Sequence, residues 1–75
     1  MWNKNNEIAN FIRAQRKRFG LTQKEFAFKS GLGIRFVREL EQGKNTLRID
    51  KVNAALRFFG ATISIKEISR DELEQ

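Results

Sequence analysis

The chain has no cysteine, no histidine and no proline among its 75 residues. Without cysteine there is no disulfide and no thiolate nucleophile. Without histidine there is no imidazole acid or base, and zinc sites of the usual kind lose both of their main ligands. The nine Asp and Glu residues are scattered at helix caps and in the C-terminal tail, which leaves no catalytic constellation. No metal, no cofactor and no enzymatic activity are therefore expected. A small domain without disulfides suits a reducing compartment. The opening MWNKNNEIAN lacks the apolar core of a signal peptide. No run approaches the roughly 18 apolar residues of a membrane span. Both observations make a cytoplasmic location, away from any membrane, the expectation.

What is present is a basic, moderately apolar chain. Its length allows one domain with a small core, which pairing with a second copy would stabilise. Apolar residues make up 40% and charged residues 32%, a balance that favours folding over disorder. The net charge is +6, and it is uneven. Residues 1–60 hold 13 Lys+Arg against 5 Asp+Glu, which is +8; residues 61–75 hold 2 against 4, which is −2. The basic surplus therefore belongs to the body and fits a polyanion such as nucleic acid. A merely solubilising surface is the plain alternative.

Spacing predicts four helices. Asn5 or Asn6 caps the first, which runs to about Phe19 with Ile8, Phe11, Ile12, Gln15, Arg16 and Phe19 on one stripe. Arg13, Lys17 and Arg18 point toward solvent, and Gly20 ends the helix. Thr22-Gln23-Lys24-Glu25 is a capping box that opens the second helix. Phe26, Ala27 and Ser30 form its inner face, and Phe28 falls off that face. Gly31 makes the turn. The third helix starts at Leu32 or Gly33 and runs to about Gln42. Ile34, Val37, Leu40 and Glu41 face inward on it, while Arg35, Arg38, Glu39 and Gln42 face outward. Gly43 ends it, and Asn45 and Thr46 form a loop. Ile49, Val52, Ala55, Leu56 and Phe59 share one face of a fourth helix, closed by Gly60.

The pattern then changes period. Ile63 and Ile65 alternate with Thr62, Ser64 and Lys66, as a strand would. The chain offers no second strand, so a lone strand is most economically paired with its copy across a twofold axis. An extended tail packed on the helices is the alternative.

The central unit is chemically suggestive. A helix, a four-residue connection at Gly31 and a second helix have helix-turn-helix geometry. Arg35 and Arg38 lie three apart on the outward face, and an arginine fork matches guanine O6 and N7. Glu39 has two readings: it accepts from cytosine, or it orients Arg35 one turn back. Helix amides and lysine bind phosphate and set register.

The run Leu21-Thr22-Gln23, then Phe26-Ala27, Gly31, Val37, Leu40-Glu41 and Gly43-Lys44, resembles the lambda-repressor/Cro-like (XRE-type) helix-turn-helix transcription factors. The resemblance covers about residues 6–60. It implies a mainly α, compact four-helix domain whose third helix enters the major groove, followed here by one β-strand used for dimerisation. It implies that Gln23 touches phosphate and braces the recognition helix. Gly33, Ile34 and Arg35 would reach base edges, Arg38 and Glu39 would lie one turn on, and Lys44 would meet phosphate. Arg16 and Glu41 occupy positions where the family often has a partly buried ion pair. The start Gly33-Ile34-Arg35-Phe36 departs from the family's small polar residues; Phe36 either packs on the first or second helix or touches a thymine methyl.

The phrase from Gly31 to Lys44, with a β-like segment after the last helix, is also similar to HipB-type antitoxins. Those are dimeric repressors that bind a HipA-type serine/threonine kinase toxin and autoregulate their operon. The resulting division is a DNA-binding domain over 1–60 (helix-turn-helix at about 22–42), a dimerisation strand over 61–68 containing Ile63 and Ile65, and a flexible acidic tail over 69–75. The expected partners are a palindromic double-stranded operator, a second copy and such a toxin. The alternative is a protein-interaction module that neutralises an acidic partner without specific DNA binding, with Phe28, Phe36 and Phe58 as anchors.

Overall fold

The computed structural model describes residues 6–65 and contains four helices in that span. They are α1 (Glu7–Arg18), α2 (Gln23–Ser30), α3 (Ile34–Glu41) and α4 (Ile49–Phe58). Each begins and ends for a local reason. The Asn6 side chain accepts from the Ala9 N–H and caps α1. Thr22 Oγ1 accepts from Glu25 N–H at 3.0 Å, and Glu25 Oε1 accepts from Thr22 N–H at 2.8 Å, which completes the capping box of α2. The backbone hydrogen bond holds the Glu25 carboxyl below the ordinary carboxylate range. Gly31 closes α2 in the left-handed region at φ 75°, where a side chain would be strained. Leu32 and Gly33 then lead into α3, which starts at Ile34 with Gly33 as its cap residue.

The core is small and continuous. Ile12, Phe26 and Val37 are fully buried, and Ala27, Leu40, Val52, Ala55 and Leu56 complete the cluster. One residue comes from α1, two each from α2 and α3, and three from α4, so every helix is tied to the others through it. Phe26 sits at the junction: its ring meets Phe58 at 5.2 Å and Phe59 at 4.9 Å. Full burial of such a ring stabilises by about 1.5–3 kcal/mol. α3 packs on both α1 and α2, which fixes its inner face.

Three expectations for these helices need correction. The buried stripe of α1 runs through Ala9 (2% exposed) and Ile12, not through Phe11 and Phe19, which are 36% and 57% exposed. Arg13 stands four residues after Ala9 and so shares its side of the helix. Arg13 consequently leaves the solvent side and becomes half-buried, and its Nη2 donates to the Glu41 carbonyl. Phe19 instead stacks on Phe59 beyond the helix ends, at 5.6 Å and 10°. Ile49 does not join the inner face of α4; it opens the helix at the edge of the bundle and is 70% exposed.

After α4 the chain runs on through Ala61–Ile65 without assigned strand or helix. Asn53 anchors its start, since Asn53 Oδ1 accepts from Thr62 Oγ1 and from Ile63 N–H, both at 3.0 Å. The expected strand over 61–68 is thus not formed among its described residues, and 66–68 lie outside them, as do Trp2 and the acidic tail over 69–75.

Candidate nucleic-acid interface

α3 has two unlike faces. Val37, Leu40 and Glu41 are buried, while Arg35, Arg38 and Gln42 are exposed. The spacing of three and four residues produces this division, because those intervals return to the same side of a helix. The inner face is fixed by packing, so the outer face has a defined orientation.

A polar brace locks α3 from behind. Arg16 of α1 grips Glu41 with two bonds, Nε to Oε2 at 2.6 Å and Nη2 to Oε1 at 2.9 Å. Its third nitrogen, Nη1, donates to the Leu21 carbonyl at 2.9 Å. Gln23, at the start of α2, donates from Nε2 to Glu41 Oε1 at 3.2 Å. Arg13 adds a donor to the Glu41 backbone carbonyl. Glu41 thus ties α3 to α1 and to the first turn of α2, and Arg16 extends the brace to the loop between them. The side chains of Arg16 and Glu41 are 12% and 3% exposed, so the pair is withdrawn from water. Among the described residues no buried side-chain polar atom lacks a partner. Burying two charges is tolerable only with such complete hydrogen bonding.

The outer face carries the other residues singled out from the sequence. Arg35 projects from the first turn of α3 with its side chain 91% exposed. Arg38 is exposed in the last turn. Glu39, one turn after Arg35, is only 19% exposed, with Oε2 at 3.0 Å from Lys44 Nζ and 3.9 Å from Arg35 Nε. Arg35, Glu39 and Lys44 are therefore brought together, while Gln23 is drawn into the brace with Arg16. Gly33 is exposed ahead of the helix, and Ile34 is half-buried against the core. Phe36 also packs at the rim of the core, where Lys51 Nζ of α4 lies 5.9 Å from its ring centroid. Ile63 and Ile65 lie on the segment after α4, 38% and 99% exposed.

Lys44 owes its place to the end of α3. Gly43 takes φ 85°, a conformation open to glycine, and turns the chain back. Gly43 N–H then donates to the Leu40 carbonyl at 3.2 Å and Lys44 N–H to the Glu39 carbonyl at 3.1 Å. This is a Schellman motif, and it sets Lys44 beside Glu39. Further along, Arg48 holds Asp50 with contacts of 3.1 and 2.6 Å, and its guanidinium keeps the Asp50 carboxyl below the ordinary range.

Besides the Glu39–Lys44 pair, sequence reasoning missed three contacts: Arg13 on the Glu41 carbonyl, Lys51 over Phe36, and Asn53 on the segment at Thr62. Each joins residues of two different segments, a meeting that spacing along one helix does not encode. Arg13 stands four residues after the apolar Ala9, which was the available signal for the first.

Comparison with known proteins fits this geometry. A helix-turn-helix family model matches residues 12–66, most of the chain. The chain belongs to the lambda-repressor/Cro-like (XRE-type) helix-turn-helix family of DNA-binding transcriptional regulators, which are not enzymes. It is 41% identical over 59 residues to a protein of Sinorhizobium fredii described as the uncharacterized HTH-type transcriptional regulator y4mF, covering 79% of this chain and 78% of that one. No solved structure matches. Among the described residues no helix is long and apolar enough to cross a membrane.

Proposed function

We propose that the chain is a homodimeric, sequence-specific DNA-binding repressor, the antitoxin of a HipA-type serine/threonine kinase toxin with which it shares an autoregulated operon. The observation that carries the DNA reading is Arg35, 91% exposed on the first turn of a helix held from behind. A side chain that reads bases must be free at its tip and fixed at its root. Each protomer lays α3 in the major groove of one half-site. Gly33, Ile34, Arg35 and Arg38 face the bases, and Gln23 and Lys44 meet phosphates. Residues 1–60 act as the DNA-binding unit.

The second copy is supported by the segment after α4. Ile63 borders an apolar groove with Ile8, Phe11, Leu56 and Ala61, and Ile65 stands clear of the body beyond it. Pairing of the 61–68 segments across a twofold axis covers these side chains and satisfies the strand backbone. The toxin partner is supported by the phrase from Gly31 to Lys44 joined to this segment, and by nothing in composition or charge. The location that goes with this function is the cytoplasm.

An electrophoretic shift on the protein's own promoter, with and without unrelated competitor DNA, tests the reading. Retention of the shift under competitor is the expected result. Loss of all binding to competitor favours the interaction-module alternative, for which Phe28, 88% exposed on α2, is the leading anchor. Co-purification with a kinase encoded by the neighbouring gene tests the toxin partner.

A further inference from the structure

We infer that the second copy contributes a residue to the apolar groove beside α4: Ile65 of each protomer packs over the partner's Ile63, and the two Ser64 residues face each other across the twofold axis. This rests on the proposed pairing of the segments after α4. The groove is lined by Ile8 and Phe11 of α1, Leu56 of α4, and Ala61 and Ile63 of the segment itself. Its volume of about 310 Å³ is roughly ten times a water molecule's share of the liquid, room enough for an isoleucine side chain. Phe11 and Ile63 at its lip stay 36% and 38% exposed. Two residues on, Ile65 is 99% exposed and takes no part in closing it. The chain thus carries an apolar knob and an apolar recess side by side, the self-complementary arrangement of an isologous interface. Charge favours the same contact. Residues 1–60 carry +8 and repel a second such body, while residues 61–75 carry −2 and approach it with opposite sign.

The backbone selects the register. Ile63 N–H donates to Asn53 Oδ1 at 3.0 Å, and Thr62 Oγ1 donates to the same oxygen at 3.0 Å. Asn53 belongs to α4, so the edge that carries Ile63 N–H is turned to its own body. Successive residues of a paired strand present their N–H and C=O to opposite edges. Those of Ser64 therefore fall on the outer edge, where a second strand can meet them. An antiparallel pair centred on Ser64 exchanges both hydrogen bonds between the two Ser64 residues. It sets Ile65 opposite the partner's Ile63, on one face and at the lip of the partner's groove. A pair centred on Ile65 sets the two Ile65 side chains against each other and leaves the groove uncovered. Asn53 is a positioning residue in this arrangement, since it fixes which edge is offered.

The chain has no native cysteine, so introduced single cysteines report the register without interference. Ile63, Ser64 and Ile65 are all exposed, so their replacement spares the core. Under mild oxidation Ser64→Cys is expected to give a disulfide-linked dimer, because hydrogen-bonded partners stand about 5.5 Å apart at Cα and a disulfide spans about 4.4–6.8 Å. Ile63→Cys mixed with Ile65→Cys is expected to give a linked heterodimer, and Ile65→Cys by itself is expected not to link. In sedimentation equilibrium, Ile65→Ala is expected to weaken dimerisation roughly tenfold for each of the two side chains removed, about a hundredfold in all. Ile65→Cys linking by itself as readily as Ser64→Cys overturns the inference and centres the pair on Ile65. No linking at any of the three positions, with the wild type still dimeric, overturns it by moving the interface off this segment. A wild type that sediments as a monomer refutes the second copy itself, and this packing with it.

Discussion

Replacing Glu41 by glutamine probes the brace behind α3. The substitution keeps the shape of the side chain and removes its charge. Arg16 then remains 12% exposed with no counter-charge, although two of its nitrogens were held by the carboxylate at 2.6 and 2.9 Å. Gln23 loses the charged acceptor it had at 3.2 Å. Breaking one side of a buried pair costs about 3–5 kcal/mol, against about 0–1 kcal/mol for a surface pair. A domain of this size has a total stability on the order of 4–11 kcal/mol, so the loss takes a large share. Urea unfolding followed by circular dichroism is the assay, with a slope of roughly 1 kcal/mol per molar urea for so small a protein. Glu41→Gln is expected to lower the midpoint by several molar or to leave the chain partly unfolded without urea. The double variant Arg16→Met with Glu41→Leu is expected to recover most of the loss, because removing both charges also removes their desolvation cost. A Glu41→Gln loss below about 1 kcal/mol refutes the reasoning, since the pair then behaves as a surface bridge.

Three further outcomes follow from other parts of the molecule. Arg35→Ala is expected to weaken specific binding by about 1–3 kcal/mol and to flatten discrimination at the base pair it reads, with little change in unfolding; equal binding to all operator variants by wild type and variant alike removes Arg35 from the reading role. The Glu25 carboxyl is held below its ordinary range in the folded state by the Thr22 backbone hydrogen bond. Its stabilising contribution is therefore complete above the unfolded-state value and lost as pH falls through the folded one, so Glu25→Gln should unfold with a shallower acid dependence in that window, as thermal melts across acidic pH would register. A chain ending at Gly60 is expected to sediment as a monomer where the full chain sediments as a dimer; a truncated chain that stays dimeric moves the interface off the 61–68 segment.

Much of the fold was legible because it is locally encoded. The capping box at Thr22-Gln23-Lys24-Glu25 and the turn at Gly31 follow from chemistry within a few residues, and both stand where spacing puts them. The inward face of α3 at Val37, Leu40 and Glu41 was legible for the same reason. The face of α1 was less so. Its sequence offers Phe11 and Phe19 as core residues, but Ala9 is the buried one, because periodicity gives a stripe and not which edge of it is covered. Ile49 shows the other limit. Periodicity gives the side a residue faces, but a residue at a helix end can pass beyond its neighbours and stay exposed. At the interface, residue types on α3 indicated which side chains reach outward. They did not show that Glu39 is engaged with Lys44, because that contact depends on the reversal of the chain at Gly43.

The central claim is that two copies present α3 to two symmetric half-sites. Sequencing the DNA retained by the purified full chain from a random-sequence pool tests it most directly. The account predicts an enriched palindrome whose half-sites lie about 34 Å apart, one turn of the double helix. An enriched site without twofold symmetry would contradict the dimeric arrangement, and the absence of any enriched sequence would contradict sequence-specific DNA binding itself.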